Sequence, residues 1–384
     1  MKKFDAIVIG GGMVGAATAC GLAMQQQRVA MIDPVSPAPF DPSLDPDLRL
    51  SAFSLASGKL LQQLGAWPLI EQMRLTPYTE LQTWESGMTQ RLTFDCEQIN
   101  QPQLGWMIEN RLVQLALWQR CEQLGVAIFP WQDWQLDQSH SEFVSVQSGG
   151  EQLMGKLVVG ADGANSRVRQ QAGIGVSGWD YRQRCLSMNV KFTTPISSVT
   201  WQEFHPSGPR ALLPLYDNYG ALIWYDKSAT IKQLQKLSAA NLKAQIEKAF
   251  PKLESDFELL DWASFPLVRR HAQRYIQGRI ILAGDSAHTI HPLAGQGVNI
   301  GFKDVAQLLK LAHEYEGQNV SVWGGQYQRC RKADNLMMQS TMDLLYKSFS
   351  HPHPAVAAVR KLGLQLAQNS GALKKQALRY AVGV

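Results

Sequence analysis

A chain of 384 residues, 45% hydrophobic and 18% charged, can bury a substantial core and is expected to fold as two interleaved domains with a helical tail. A net charge of +5, with the basic residues not gathered among aromatics, argues against nucleic acid as a partner, and no run approaches the ~20 apolar residues of a membrane span. The scattered cysteines Cys20, Cys96, Cys121, Cys185 and Cys330, odd in number and without a CxxC pair, argue against a disulfide framework and a cysteine metal site, and for a reducing compartment.

The N-terminus admits a secretory signal, because Lys2 and Lys3 precede an apolar stretch, but Asp5 and the glycine triplet at 10–12 interrupt it. Phe4 to Ile9 is instead a buried parallel strand of a cytoplasmic domain, feeding into Gly10-x-Gly12-x-x-Gly15. Ala16, Ala17, Ala19 and Gly21 let the next helix pack close to the sheet, and the glycines bring backbone N–H groups against a pyrophosphate. Val29 to Ile32 then ends in Asp33, about 20 residues beyond the loop, where an acid accepts hydrogen bonds from an adenosine ribose. Strand, loop, helix, strand and acid together point to a dinucleotide.

Val126 to Phe129, Leu157 to Gly160 and Ile280 to Ala283 are further buried strands, separated by helical patterns, so an α/β, Rossmann-like doubly wound sheet is expected. Between 183 and 267 the texture alternates: Leu186 to Phe192, Ala211 to Leu215 and Ala221 to Tyr225 read as an inserted antiparallel sheet. The expected division is a discontinuous nucleotide-binding domain (1–74, 102–182, 268–320), a substrate domain (75–101, 183–267) and a C-terminal helical region (321–384). A pocket is expected where the first two meet.

At 160–169, a strand ends in the Asp162-Gly163 turn, and Asn165 and Ser166 stand where they can cap a helix carrying Arg167 and Arg169. Alone this is an ordinary connection; repeated in kind by Gly284-Asp285 after Ile280 to Ala283, it adds Asp162 and Asp285 to the cofactor candidates. Asp285 at a strand end can hold a polyol hydroxyl. Pro292 then precedes Gly295-Gln296-Gly297-Val298-Asn299, a glycine-lined helix start whose N–H groups face an anion.

These three motifs together resemble the p-hydroxybenzoate hydroxylase-like class A flavoprotein monooxygenases, and HPLAGQGVNIGFKD resembles the signature of their FAD-dependent ubiquinone-biosynthesis branch. DLRLSAFS, ENRLVQLALW, GPRALLPLYDN, IWYD, FPLVRRHA, ADNLMMQSTMDL and KKQALRYAVG are most similar to the members acting on demethoxy-ubiquinol. The resemblance implies FAD held by Gly12, Val14, Gly15, Asp33, Arg49, Asn110, Asp285 and the loop from Gly295 to Asn299. Many relatives carry Glu at the Asp33 position, and distant ones Arg or Gln at Asn110. It implies reduction of the flavin by NAD(P)H as a transient donor, addition of O2 at the flavin C4a, and transfer of one oxygen from the hydroperoxide to the ring of a polyprenyl quinol. A quinol ring is already activated by its hydroxyls, so no catalytic acid or base is nominated. Other ubiquinone-biosynthesis enzymes and a second copy of the chain are the protein partners the resemblance allows. The alternatives are a flavin hydroxylase of another phenol and a non-enzymatic prenyl-binding or scaffolding flavoprotein.

Asp285-x-x-His288-x-x-His291 has ligand-like spacing, but a loop given over to flavin and no further ligand nearby argue against a metal. Trp131-Gln132-Asp133-Trp134 lacks the WxWxIP spacing of flavin halogenases. Trp201, Phe204, Leu213, Leu215, Trp224 and Tyr225 line a greasy pocket or pack a core. Arg269, Arg270 and His271 contact substrate or NAD(P)H, or form a solvated cluster. Val356, Val359, Leu362 and Leu366, followed by Lys374, Lys375, Leu378, Arg379 and Val382, form a stripe that docks on its own protein or makes peripheral contact with a membrane.

Overall fold

A computed structural model describes residues 1–290, 297–351 and 353–384. Its first sheet runs β17 (Ile276–Gln277), β18 (Ile280–Leu282), β11 (Glu151–Gly160), β1 (Lys2–Ile9), β2 (Val29–Ile32), β8 (Ala127–Phe129), with β10 (Val144–Ser148) and β9 (Gln135–Asp137) added beside β11. Strands β18, β11, β1, β2 and β8 are mutually parallel. Ala6 to Ile9 and all of β2 are buried, as the unbroken apolar runs require when helices cover both faces. Helix α1 (Met13–Met24) packs against the sheet and α4 (Asn110–Gln123) through small residues. A Cβ on its Gly21 would stand 2.2 Å from Leu309 of α8 (Gly297–Glu314). Inside this packing, the Cys20 and Cys121 thiols lie 3.2 Å apart.

The second sheet runs β19 (His288–Thr289), β16 (Phe257–Ala272), β12 (Val176–Phe192), β15 (Tyr219–Lys227), β14 (Arg210–Pro214), β13 (Val199–Phe204), β5 (Glu80–Glu85), β6 (Leu92–Asp95). The segment after the third motif therefore pairs with the same sheet as the inserted strands. Strands β12 and β16 are long and cross the expected 182/183 and 267/268 boundaries, so the two halves are joined by continuous ladders rather than by linkers. One face of this sheet packs on α6 (Ser228–Leu234) and α7 (Ala239–Ala249), with Trp201, Trp224 and Phe250 in the core between them. A small sheet, β3 (Leu50–Ser54), β7 (Gly105–Glu109), β4 (Thr76–Tyr78), faces the other side, with α2 (Leu55–Gln63) and α3 (Trp67–Glu71) between β3 and β4 in the chain.

The chain continues through α9 (Val320–Ser350), α10 (Pro354–Asn369) and α11 (Ala372–Val382). Val359, Leu362 and Leu366 are 56–70% exposed, so that part of the apolar stripe faces solvent, whereas Leu378 and Val382 of α11 are buried. No helix among the described residues is long and apolar enough to cross a membrane.

Candidate functional site

Parallel register brings the carboxyl ends of β2, β1, β11 and β18 level: Ile9 pairs with Ile32 and Gly160, and Gly160 with Leu282. The three motifs follow these ends, at the edge where open α/β sheets bind ligands. In the first, Gly10 adopts φ +104°, and a Cβ there would lie 2.4 Å from the Ala161 carbonyl oxygen; one on Gly15 would lie 1.8 Å from that of Gly10. Gly12 differs, because nothing lies within 4 Å of a Cβ built there. It begins α1, which has no side-chain cap and no acid in its first turn, so the helix N–H groups face open space. Asp33 holds the loop by accepting from Gly11 N at 2.6 Å and Val35 N at 2.9 Å. Lone pairs on both oxygens are left for a ribose. Val14 packs between the first and third motifs, against Gly284 and Gly301.

The Asp162 carboxylate accepts from Ser166 Oγ at 2.5 Å, Arg167 N at 2.7 Å and Val168 N at 3.0 Å, fixing the start of the short helix α5 (Arg167–Gln171). Ser166 caps that helix by accepting from Arg169 N, while Asn165 accepts from Arg270. The buried Arg169 donates to Ser286 O at 2.7 Å, and Ser286 Oγ donates to Gly160 O at 2.5 Å. The second motif thus braces the third from behind.

Within the third motif Asp285 opens onto a cavity of about 520 Å³. Asp285 itself is exposed towards that cavity, but desolvation by the protein packed around it still raises its carboxyl above the ordinary value, against the pull of His288 and Arg49 nearby. Behind it, fully buried Asp304 accepts from Gly284 N at 2.9 Å and Arg331 Nε at 2.7 Å and pairs with His288 Nε2 at 2.5 Å. Burial pushes the Asp304 carboxyl up, but His288 and Arg331 together outweigh it and hold the group at about 2. His288 is therefore committed to Asp304, and among the described residues no cluster of three or more potential ligands could hold a metal. His291, Pro292, Gly295 and Gln296 lie outside the described residues.

Gly297, Val298 and Asn299, where α8 begins, line the cavity together with Arg49 and Asn110. Asn299 Oδ1 accepts from Ser54 N at 2.9 Å and Ser57 Oγ at 2.7 Å, and its Nδ2 donates to Ala52 O at 2.9 Å. That side chain locks α8 to β3. Asn110 accompanies Arg49 through its backbone N–H, 2.9 Å from Arg49 O, and its side-chain Oδ1 is buried without a partner. Such an orphaned acceptor costs about 1–3 kcal/mol unless something donates to it. The orphan on Asn110, the open cradle at Gly12 and two acid-free helix N-termini fit FAD.

Of the suggested pocket residues, Trp201, Leu213 and Tyr225 line the cavity, while Phe204, Leu215 and Trp224 do not. Phe204 stacks on Phe349, and Trp224 belongs to the core over α6 and α7. Arg269 pairs with Asp343 at 3.0 Å, Arg270 donates to Ala164 O, and His271 Nδ1 bonds Gln339, so this cluster fastens β16 to α9 and the second motif rather than standing in solvent. The sequence reading missed the wall residues Tyr78, Leu81, Leu104, Gln202 and Phe265. It also missed the closing contribution of Leu378, Ala381 and Val382 from α11. Period-two alternation in β12 to β15 was a signal for the sheet face; nothing local marks α11, which starts at Ala372, far along the chain from Gly15, as a wall of the cavity.

Residues 3–339 match the FAD binding domain family. The chain is 45% identical to the 3-demethoxyubiquinol 3-hydroxylase of Escherichia coli, over 98% of each chain. It is 32% identical to the ubiquinone hydroxylase of Rhodospirillum rubrum, covering 100% of this chain and 90% of that one. In three dimensions it is similar to p-nitrophenol 4-monooxygenase from Pseudomonas putida, with TM-score 0.79 and 20% identity, covering 100% and 97% of the two chains.

Proposed function

This chain belongs to the FAD-binding-domain family of flavin-dependent monooxygenases, and from that premise we propose that it hydroxylates the ring of a prenylated benzoquinol, a demethoxy-ubiquinol, in ubiquinone biosynthesis. The observation that carries the substrate class is the cavity itself: Leu81, Leu104, Leu213, Ile223 and Phe265 make its wall largely apolar. Its hydroxyls are largely engaged already, Thr200 with Leu212 O and Ser187 with Leu48 O. A wall of that kind suits a ring with a hydrocarbon substituent better than a charged phenol acid.

FAD, when bound and reduced by NAD(P)H, would supply the activation of O2 that hydroxylation of an electron-rich ring carbon requires. We assign its binding to Gly10, Gly12, Val14, Gly15, Asp33, Arg49, Asn110, Asp285 and Gly297 to Asn299, to Pro292, Gly295 and Gln296 by their place in the third motif, and to Asp162 as a brace. The N–H groups at the start of α8 would stabilise negative charge on a group bound in the cavity, and Arg49 would add a cation there. The apolar walls exclude water, which protects the reactive oxygen from diversion to peroxide. We assign residues 75–101 and 183–267 to the substrate side and place peripheral membrane contact on the exposed face of α10.

Oxygen uptake by the FAD-loaded protein supplied with NAD(P)H tests the substrate class. A short-chain demethoxy-ubiquinol is expected to stimulate it strongly and p-hydroxybenzoate not at all. The reverse preference would transfer the protein to the hydroxylases of soluble phenols.

A further inference from the structure

Every strand of the second sheet from β19 to β5 contributes to the wall of the cavity. At the spacing of neighbouring strands, six steps make a trench about 25–30 Å long. Its two ends differ in chemistry. At the β19 end stand Asp285, Thr289 and the start of α8; at the β5 end stand Tyr78, Leu81 and Leu104, closed over by Leu378, Ala381 and Val382 of α11. Leu378, Val382 and Leu104 share one buried cluster with Cys96 and Ile99, and Tyr78 and Leu81 pack against it.

The outside of that end is apolar too. Ala381 is exposed at the mouth, and Leu373, Leu366 and Leu362 are more than half exposed along α11 and α10 beyond it. Among the described residues, helix α11 is held by a handful of polar contacts: Tyr380 donates to Asp334 at 3.0 Å, Lys374 donates to Gln368 Oε1 at 3.0 Å and lies over the Phe94 ring, and Lys303 lies over the Tyr380 ring. It is joined to α10 through Gly371, in a positive-φ conformation that gives the joint its sharp turn.

We propose that the α11 end of the trench is a subsite for the linear hydrocarbon chain on the substrate ring, with the inner face of α11 as its roof. This rests on the quinol reading above, and adds where the chain lies. Ring and tail are then sorted by polarity along one trench: the ring reaches the cofactor end, the chain runs between α11 and the Tyr78–Leu81 wall, and it emerges beside Ala381.

Two measurements on the FAD-loaded protein test the subsite. In the first, wild type and Ala381→Trp are compared with two demethoxy-quinols of the same ring, one with a methyl in place of the chain and one with a three-unit prenyl chain. Overfilling the mouth should lower the ratio of kcat/KM for prenylated over methyl quinol by ~10-fold, chiefly through KM; an unchanged ratio overturns the subsite. In the second, a prenyl quinol with a diazirine at the chain end is photolysed on wild-type protein. Label on the peptides carrying Tyr78–Leu81 or Leu378–Val382, suppressed by excess unlabelled quinol, is expected. Label confined to other peptides overturns the proposal. Should wild type turn over neither quinol, the quinol reading falls, and the photolabel still decides the subsite.

Discussion

Two glycines three residues apart separate packing from binding. At Gly15 a Cβ would strike the chain's own backbone, whereas at Gly12 it would meet nothing, and Gly12 has φ −65°, which alanine adopts without strain. Gly12→Ala is therefore expected to keep or slightly raise apoprotein stability, by up to about 1 kcal/mol, while weakening FAD binding. Gly15→Ala should lower both. Thermal unfolding of the apoproteins and FAD titration separate the cases. Asp285 makes an opposed pair of demands. Because desolvation by its surroundings raises its carboxyl, the folded apoprotein holds that proton more tightly than the unfolded chain, and the group's contribution, small because the side chain is exposed to the cavity, worsens as pH rises through the ordinary carboxylate range. Asp285→Asn should raise the melting temperature of the apoprotein at neutral pH, with the gain vanishing below the ordinary value of 3.8, and should lower FAD affinity. An unchanged affinity would remove Asp285 from the binding set. Gly12, Gly15, Asp33 and Asp285 were legible because each follows an apolar strand. The engagement of the Asp162 carboxylate with α5 was not, since an acid that caps a helix and one that meets a ligand look alike in a string of letters.

At the scale of elements, α8 is a rigid base for the site. Asn299 ties its first turn to β3, and Asp304, one turn further on, ties it to Gly284, His288 and Arg331 of α9. Removing one partner of such a buried charge network costs about 3–5 kcal/mol, the loss expected for Asp304→Ala in urea unfolding near neutral pH. The wild-type carboxyl lies below its unfolded value, so its stabilisation is complete above 3.8 and disappears as pH falls towards about 2. Asp304→Ala should flatten that acid limb of the stability curve, and an unaltered limb would mean that the network does not stabilise the fold. The parallel strands were legible as apolar runs, and the inserted sheet as alternation. The continuity of β12 and β16 through both halves was not, because Asp180 and Arg182 on β12 and Arg269 and Arg270 on β16 interrupt the apolar pattern where the strands bridge the two.

For the whole molecule, the cavity has walls from the second sheet and from the small β3–β7–β4 sheet and a roof from α11, so the fold brings residues 49, 110, 285 and 381 around one space. The apolar stripe beginning at Val356 could not be assigned from periodicity, since a docked helix and a surface-seeking one share the same spacing. The structure separates the roles: α11 docks through Leu378 and Val382, and α10 leaves Val359, Leu362 and Leu366 outside. Removing residues 355–384 should reduce partition onto anionic vesicles and, by unroofing the cavity, raise the share of NAD(P)H oxidation that ends in peroxide. Unchanged partition would place membrane contact elsewhere. Oxygen transfer to a quinol ring is read out by supplying the FAD-loaded protein with NAD(P)H, isotopically labelled O2 and a short-chain demethoxy-ubiquinol, then weighing the product. A quinol heavier by one labelled oxygen atom is expected; unmodified quinol with labelled peroxide would mean that the oxygen never reaches the ring.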